Sequence, residues 1–307
     1  MSGTTQDGQR VRGAETAPAA ASQPDGAQVA RLLPMSPNIL VDMNKALSDG
    51  TSGAAQLSKI LKSDPGLVAT ILRLVNSAYF GLPYPIQRPT AAIAYLGVSE
   101  VHRLVVTASI INGFEKFDRG HLEAIWRRSA LAAITTRELV RSRARWLSSS
   151  TAWTLGLLHD LGSLATLAVA PDALDRVTAY CEERQCLVAE AEVALGLPSA
   201  TDFANVLCHE WRLPWTIEVA ATQHRSATMS AGTGGDDAQL LTMVFAAVRL
   251  ATLATRNLRP EIRERLGVEV RQLLGCGEEE LWDILARVHA QREEAEACMQ
   301  QLLPKAS

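Results

Sequence analysis

Asp64-Pro65 opens a stretch in which Leu67, Val68, Ile71, Leu72, Leu74 and Val75 recur at helical spacing and cover most of a helix circumference. A helix apolar nearly all round needs other helices on every side, so this segment alone asks for a multi-helix core. Its start is well marked. An aspartate can take up a free amide of the first turn, and proline at the first helical position loses no hydrogen bond. The helix is expected to end near Tyr79-Phe80-Gly81. Nowhere does the chain alternate apolar and polar residues with period two for long enough to propose a strand, so the fold class expected is all-α.

Further helices follow from the same spacing and from Pro and Gly punctuation. One carries Ile39, Leu40, Met43 and Leu47 and stops at Ser48-Asp49-Gly50; a short one carries Leu57, Ile60 and Leu61. Gly81 to Pro85 is a loop, and Pro89 and Gly97 bracket the next helix. Helices are then expected over about 99–112, 121–145, 152–159, 163–169, 173–183, 189–195, 200–211, 214–224 and 240–258. The tail from Glu278 to Leu303 is read as one amphipathic helix with Leu281, Leu285, Val288, Ala295 and Met299 on a stripe. It either packs on its own domain, the favoured reading, or binds a partner.

A hydrophobic fraction of 47% against 21% charged leaves ample side chain for a large core. The formal charge of -3 offers no global attraction to phosphate backbones or anionic membranes, which argues against a nucleic-acid partner. Arg137, Arg141, Arg143 and Arg145 could form a local phosphate-gripping face, but an arginine-rich helix face is more often solvated. Asn76 and Ser77 are expected to bond to loop backbone more than to a ligand. The five cysteines are odd in number and lack C-x-x-C spacing, which suits reduced thiols and a cytoplasmic location. No signal-peptide stretch is visible, and the apolar run nearest to the ~20 residues that span a bilayer, Leu104 to Ile111, is interrupted, so no membrane contact is expected.

Several blocks carry a resemblance. Leu32 to Pro37, Asp64-Pro65-Gly66-Leu67, Leu72 to Gly81 and Ala91 to Gly97 resemble the N-terminal half of the HDOD domain. Gly156-Leu157-Leu158-His159-Asp160-Leu161-Gly162 resembles its HD signature, and Trp211-Arg212-Leu213-Pro214 followed by His224 matches a later motif. The resemblance covers roughly residues 31–230. It implies an HD-like multi-helix bundle with an N-terminal helical subdomain, of a family found in bacterial signal transduction beside chemotaxis, motility, stress or cyclic di-GMP components. Most members have no demonstrated catalysis. The organisation expected is a disordered arm over 1–28, an HDOD domain over 29–258 and a C-terminal helical extension over 259–307. Within the domain, an N-terminal half covers about 31–118 and an HD-like half about 119–258, with a flexible loop at 226–237.

Active HD enzymes hold a divalent metal through several His and Asp ligands and keep one position open for water. Carried over position by position, the resemblance puts Arg128 where the first histidine belongs, Ser199 or Ala200 where the next does, and His224-Arg225 in place of a histidine pair. The late aspartate falls in Phe245-Ala246-Ala247-Val248, which has no carboxylate. His159, Asp160 and His224 remain, and His209 matches nothing in the pattern. A guanidinium cannot deprotonate to bind a metal and brings positive charge to a cation site. The expectation is therefore a degenerate HD pocket of Arg128, His159, Asp160, His224 and Arg225, without catalytic residues, metal or cofactor, in a regulatory module that docks signalling proteins. In it Arg128 and Asp160 would form a buried, doubly hydrogen-bonded ion pair. A nucleotide occupant of the pocket stays open. The alternative is a metal-dependent phosphohydrolase or phosphodiesterase using His159 and Asp160.

Overall fold

A computed structural model of the chain describes residues 26–32, 57, 61, 64–77, 82, 84–226 and 235–303. Among them there is no strand. The first helices are α1 (Gly26–Leu32), α2 (Pro65–Val75), α3 (Pro89–Leu96) and α4 (Val98–Phe114). The long α5 (Arg119–Arg143) leads to α6 (Ser149–Leu158), α7 (Leu161–Val169), α8 (Pro171–Arg184) and α9 (Val188–Ala194). The remainder is α10 (Ala200–Glu210), α11 (Trp215–Gln223), α12 (Gly235–Thr255), α13 (Pro260–Leu274), α14 (Glu278–Ala290) and α15 (Arg292–Leu302).

Local chemistry sets several boundaries. Asp64 Oδ1 accepts from the Leu67 amide at 2.9 Å and Pro65 occupies the first turn, so α2 starts where the sequence says. It stops at Val75, earlier than expected. Asn76 leaves the helix to clasp Ile86, donating to its carbonyl at 2.8 Å and accepting from its amide at 2.7 Å, while the Ser77 hydroxyl donates to Leu74 O at 2.6 Å. Both side chains thus serve local backbone.

α5 is the central pillar and packs against α6, α12 and α15. The approach of α6 is so close that a Cβ on Gly156 would lie 2.7 Å from Ala133 Cα. A Cβ on Gly162 would lie 2.1 Å from Ala200 O, at the contact of α7 with α10. These two glycines bracket His159-Asp160 and press that turn into the bundle. One core cluster joins Ile71, Leu104, Phe114, Trp126, Leu158 and Phe203 with Met299 and Leu302 from the tail. A second joins α5, α8 and α12 to Ile262, Leu266, Leu281 and Val288 of the extension.

Several expectations change. α1 begins at Gly26 and buries Val29, so the last residues of the segment expected as an arm are helical; residues 1–25 lie outside the described part. The helix expected around Ile39 to Leu47 also lies outside it, although Leu57 and Leu61 of the next are described and buried. Gly235, Asp236 and Asp237, expected in a loop, form the first turn of α12, and 227–234 are outside the described residues. The tail is two helices broken at Gln291, preceded by α13, and its apolar stripe is buried.

The arginine face is not a shared phosphate grip. Arg137 is buried and pairs with Glu294 at 3.0 Å; Arg143 donates to Leu274 O at 3.0 Å and pairs with Glu280. These arginines fasten the extension to α5, as does Arg127 with Glu296 at 2.6 Å. Two stretches, Ser149–Val169 and Gly235–Thr255, are long and apolar enough to cross a membrane, which the sequence reading did not expect. In the first, 89% of the apolar window is buried inside the bundle, and in the second 61%.

Candidate functional site

α6 ends at Leu158, and the chain turns through His159 and Asp160 into α7. The His159 Nδ1 lies 2.7 Å from Gly156 O and the His224 Nδ1 lies 3.0 Å from Ala220 O. A carbonyl only accepts, so each Nδ1 carries the proton and each Nε2 is left as an acceptor. The rings meet edge to face with centroids 4.9 Å apart. Burial holds both imidazoles below the ordinary histidine pKa, and the neighbouring Arg225 adds to this at His224. Both are neutral at neutral pH.

Asp160 is 7% exposed and receives a hydrogen bond from Arg128 to Oδ2 at 2.9 Å and one from the Ser163 hydroxyl to Oδ1 at 2.5 Å. Arg225 stands 3.8 Å from Oδ1. Burial alone would push this carboxyl up, but Arg128, with Arg225 and Ser163, holds it well below the usual carboxylate range. The expected buried, two-bond pair is corrected in both respects. Arg128 makes a single bond, and its side chain is 42% exposed because it reaches in from the rim of a cavity.

Arg225 is held by a residue that the sequence did not single out. Glu192 on α9 is buried and accepts from Arg225 through both oxygens at 3.2 and 3.3 Å, and from the Ala200 amide at 2.9 Å. Arg225 Nε in turn donates to His224 Nε2 at 3.3 Å. Directly after Phe245-Ala246-Ala247-Val248, buried Arg249 pairs with Glu269 at 2.5 Å and donates to the His224 and Ser226 carbonyls at 2.9 and 2.6 Å. It fixes the backbone that presents His224 and Arg225.

Arg128, His159, Asp160, His224 and Arg225 all line one cavity of about 410 Å³. Its apolar wall comes from Val188, Val248 and Leu266 on α9, α12 and α13. Ser199 is used as a helix cap, accepting from the Asp202 amide at 3.1 Å, and His209 points away with 87% of its side chain exposed. The capping box S-x-x-D was readable at Ser199. Nothing local flagged Glu192, whose role depends on how α9 meets α10 and α11.

These residues do not fit a catalytic divalent ion. Such an ion needs several deprotonated donors converging on it and an open position. Here Asp160 is engaged by Ser163 and Arg128, Arg225 adds a second positive charge, and His224 Nε2 is occupied by Arg225. Among the described residues, no group of three or more His, Cys, Asp or Glu converges in a way that could hold a metal.

The fold has known counterparts. It is similar to an HDOD domain protein from Geobacter sulfurreducens (TM-score 0.67, 22% identity, 90% of this chain and 97% of that one covered). It is also similar to a candidate phosphohydrolase from Shewanella amazonensis SB2B (TM-score 0.66, 19% identity, 90% and 97% covered). A curated relative from Treponema pallidum (strain Nichols), described as an uncharacterized protein, is 20% identical over 182 residues, 59% of this chain. The chain spans about a third of that relative's length, 35%. The model of the HDOD domain matches residues 33–227, well over half of the sequence and including the His159-Asp160 turn, so this chain belongs to the HDOD family.

Proposed function

We propose that this chain is a non-catalytic regulatory module of bacterial signal transduction, cytoplasmic, that works by docking a signalling protein while the HD pocket tunes that contact. The observation that carries the reading is the Asp160 carboxylate held by Arg128 at 2.9 Å with Arg225 at 3.8 Å. Two guanidinium groups sit where a hydrolase would need neutral imidazoles, and neither can release a proton to become a ligand. The His159 and His224 side chains then serve as neutral, backbone-tethered parts of a polar core.

The reading is tested by incubating the purified chain with Mn²⁺ and either a cyclic dinucleotide or bis(p-nitrophenyl) phosphate. No turnover above buffer is expected. Turnover that disappears in Asp160→Ala would replace this reading by a metal-dependent phosphohydrolase. The docking half is tested by affinity capture from the native bacterium, with enrichment of a defined signalling protein expected and no specific partner counting against it.

A further inference from the structure

We propose that the cavity beside His159 and Asp160 is a binding site for a small organic anion, a phosphate or carboxylate carried on an apolar body, that bridges the HD turn and the C-terminal helices. The inference rests on the reading that no catalytic metal occupies this pocket.

The charge balance of the lining is the first argument. Five arginines (128, 225, 249, 256 and 265) face three carboxylates (Asp160, Glu190 and Glu269), and Glu192 behind Arg225 brings the surplus to one positive charge. Arg249 is spent on Glu269 and on backbone, and Arg265 on Glu190 at 2.8 Å. Arg225 is spent on Glu192 and His224. Arg256 is left. Among the described residues the half-buried Arg256 makes no carboxylate ion pair and no side-chain hydrogen bond, its electrostatic neighbour being the Cys186 thiol, yet it lines the cavity. Arg128 keeps spare N–H groups at the rim, since only one of them reaches Asp160. A half-buried arginine without a carboxylate counter-charge favours an anionic occupant.

Shape and wall chemistry supply the second argument. A space of about 410 Å³ falls in the range of ligand pockets and is far larger than a bare inorganic ion requires. Val188, Val248, Ala251 and Leu266 give it an apolar side opposite the arginines, which suits a ligand with an apolar body. Val248, Ala251, Arg256 and Leu266 lie beyond residue 227, outside the stretch matched by the family model, and of these Leu266 belongs to the C-terminal extension. An occupant would touch the HD turn, α9, α12 and α13 at once and would hold the extension to the core.

The test is titration of the full chain with phenyl phosphate, benzoate, inorganic phosphate and phenol, read by calorimetry and by melting temperature. Saturable binding of phenyl phosphate or benzoate, at least tenfold tighter than phenol or inorganic phosphate, is expected; whichever of the two is tighter identifies the anionic group. Arg256→Gln should weaken that binding at least tenfold with an unchanged ligand-free melting temperature. Val188→Trp, which fills the cavity from a half-buried position, should abolish it. Equal binding of phenol and both anions, no saturable binding, or indifference to both substitutions would overturn the site. Phosphate release is followed in the same samples with Mn²⁺. Cleavage of phenyl phosphate would contradict the non-catalytic reading and leave the anion site standing, whereas absent binding would contradict the site and leave that reading intact.

Discussion

Arg128 reaches Asp160 with one hydrogen bond of 2.9 Å, its own side chain 42% exposed and the carboxylate 7% exposed. The asymmetry sets the energetics. A half-solvated guanidinium contributes as a surface pair does, about 1 kcal/mol or less, and Asp160 keeps Ser163 and Arg225 when Arg128 is removed. Removing the buried carboxylate leaves the buried Ser163 hydroxyl unpaired and Arg225 with Glu192 alone, and should cost more, about 1–3 kcal/mol. A double-mutant cycle in urea is therefore expected to give a small loss for Arg128→Ala, a larger one for Asp160→Ala and a coupling of about 1 kcal/mol or less. Equal, large losses would mean that the pair is closed to water.

Acid should destabilise the fold well before its carboxylates titrate. His159 and His224 are held below the ordinary histidine pKa by burial, and His102 is pushed down to about 4, again chiefly by burial. Below about pH 6.5 the unfolded chain takes up protons at these positions and the native chain does not, so stability falls as pH drops through that window. His121, raised by its hydrogen bond to Asp175, works the other way, contributing below pH about 6.5 and losing that contribution as pH rises through its folded pKa. It is one group against three and the more exposed. Asp160, depressed, contributes above the ordinary carboxylate range and loses this only at still lower pH. Urea midpoints should thus decline from pH 7 to 5. His102→Met should flatten the decline, since the buried His102 Nε2 has no hydrogen-bond partner among the described residues and the substitution leaves nothing unpaired.

The glycines that flank the HD turn should tolerate no side chain. A Cβ at Gly162 meets backbone at 2.1 Å and one at Gly156 meets backbone at 2.7 Å, and backbone cannot swing aside. Gly162→Ala should cost about 3 kcal/mol or more and Gly156→Ala somewhat less, as lowered midpoints in denaturant. Near-neutral values would show that α6 and α7 can separate from α5 and α10 without loss.

How much of this was legible in the sequence can be argued from particular residues. His159, Asp160, His224 and Arg225 were readable from the spacings of the HD signature and the later W-x-L-P motif, and Arg128 from the position-by-position resemblance; the fold brings all five to one cavity. Arg128's exposure was not readable, because it depends on the cavity opening beside α5. Glu192 was hidden for a related reason: an acid on a short helix looks solvated until α10 and α11 close over it. α13 was within reach, with Pro260 at its start, Ile262, Leu266, Val270 and Leu274 at four-residue spacing, and Gly275 at φ 61° to stop it. The break at Gln291 lies in a stripe whose period continues on both sides, so spacing alone could not show it.

The extension should prove inseparable from the domain. Leu281, Ile284, Leu285, Val288, Met299 and Leu302 are all buried, and each such side chain contributes about 1.5–3 kcal/mol. Their sum is comparable with the ~5–15 kcal/mol that holds an ordinary domain together. A chain ending before Glu278 is expected to lose its cooperative thermal transition, measured by calorimetry. A truncated chain that melts sharply near the full-length temperature would reassign these helices to a partner surface.

The proposal that Arg128 and Arg225 keep a catalytic metal out of the pocket is tested most directly by calorimetric titration of the purified, chelator-treated chain with Mn²⁺. No saturable binding is predicted, with the same flat trace for Asp160→Ala. One equivalent of Mn²⁺ bound tightly by the native chain and lost in Asp160→Ala would contradict the account.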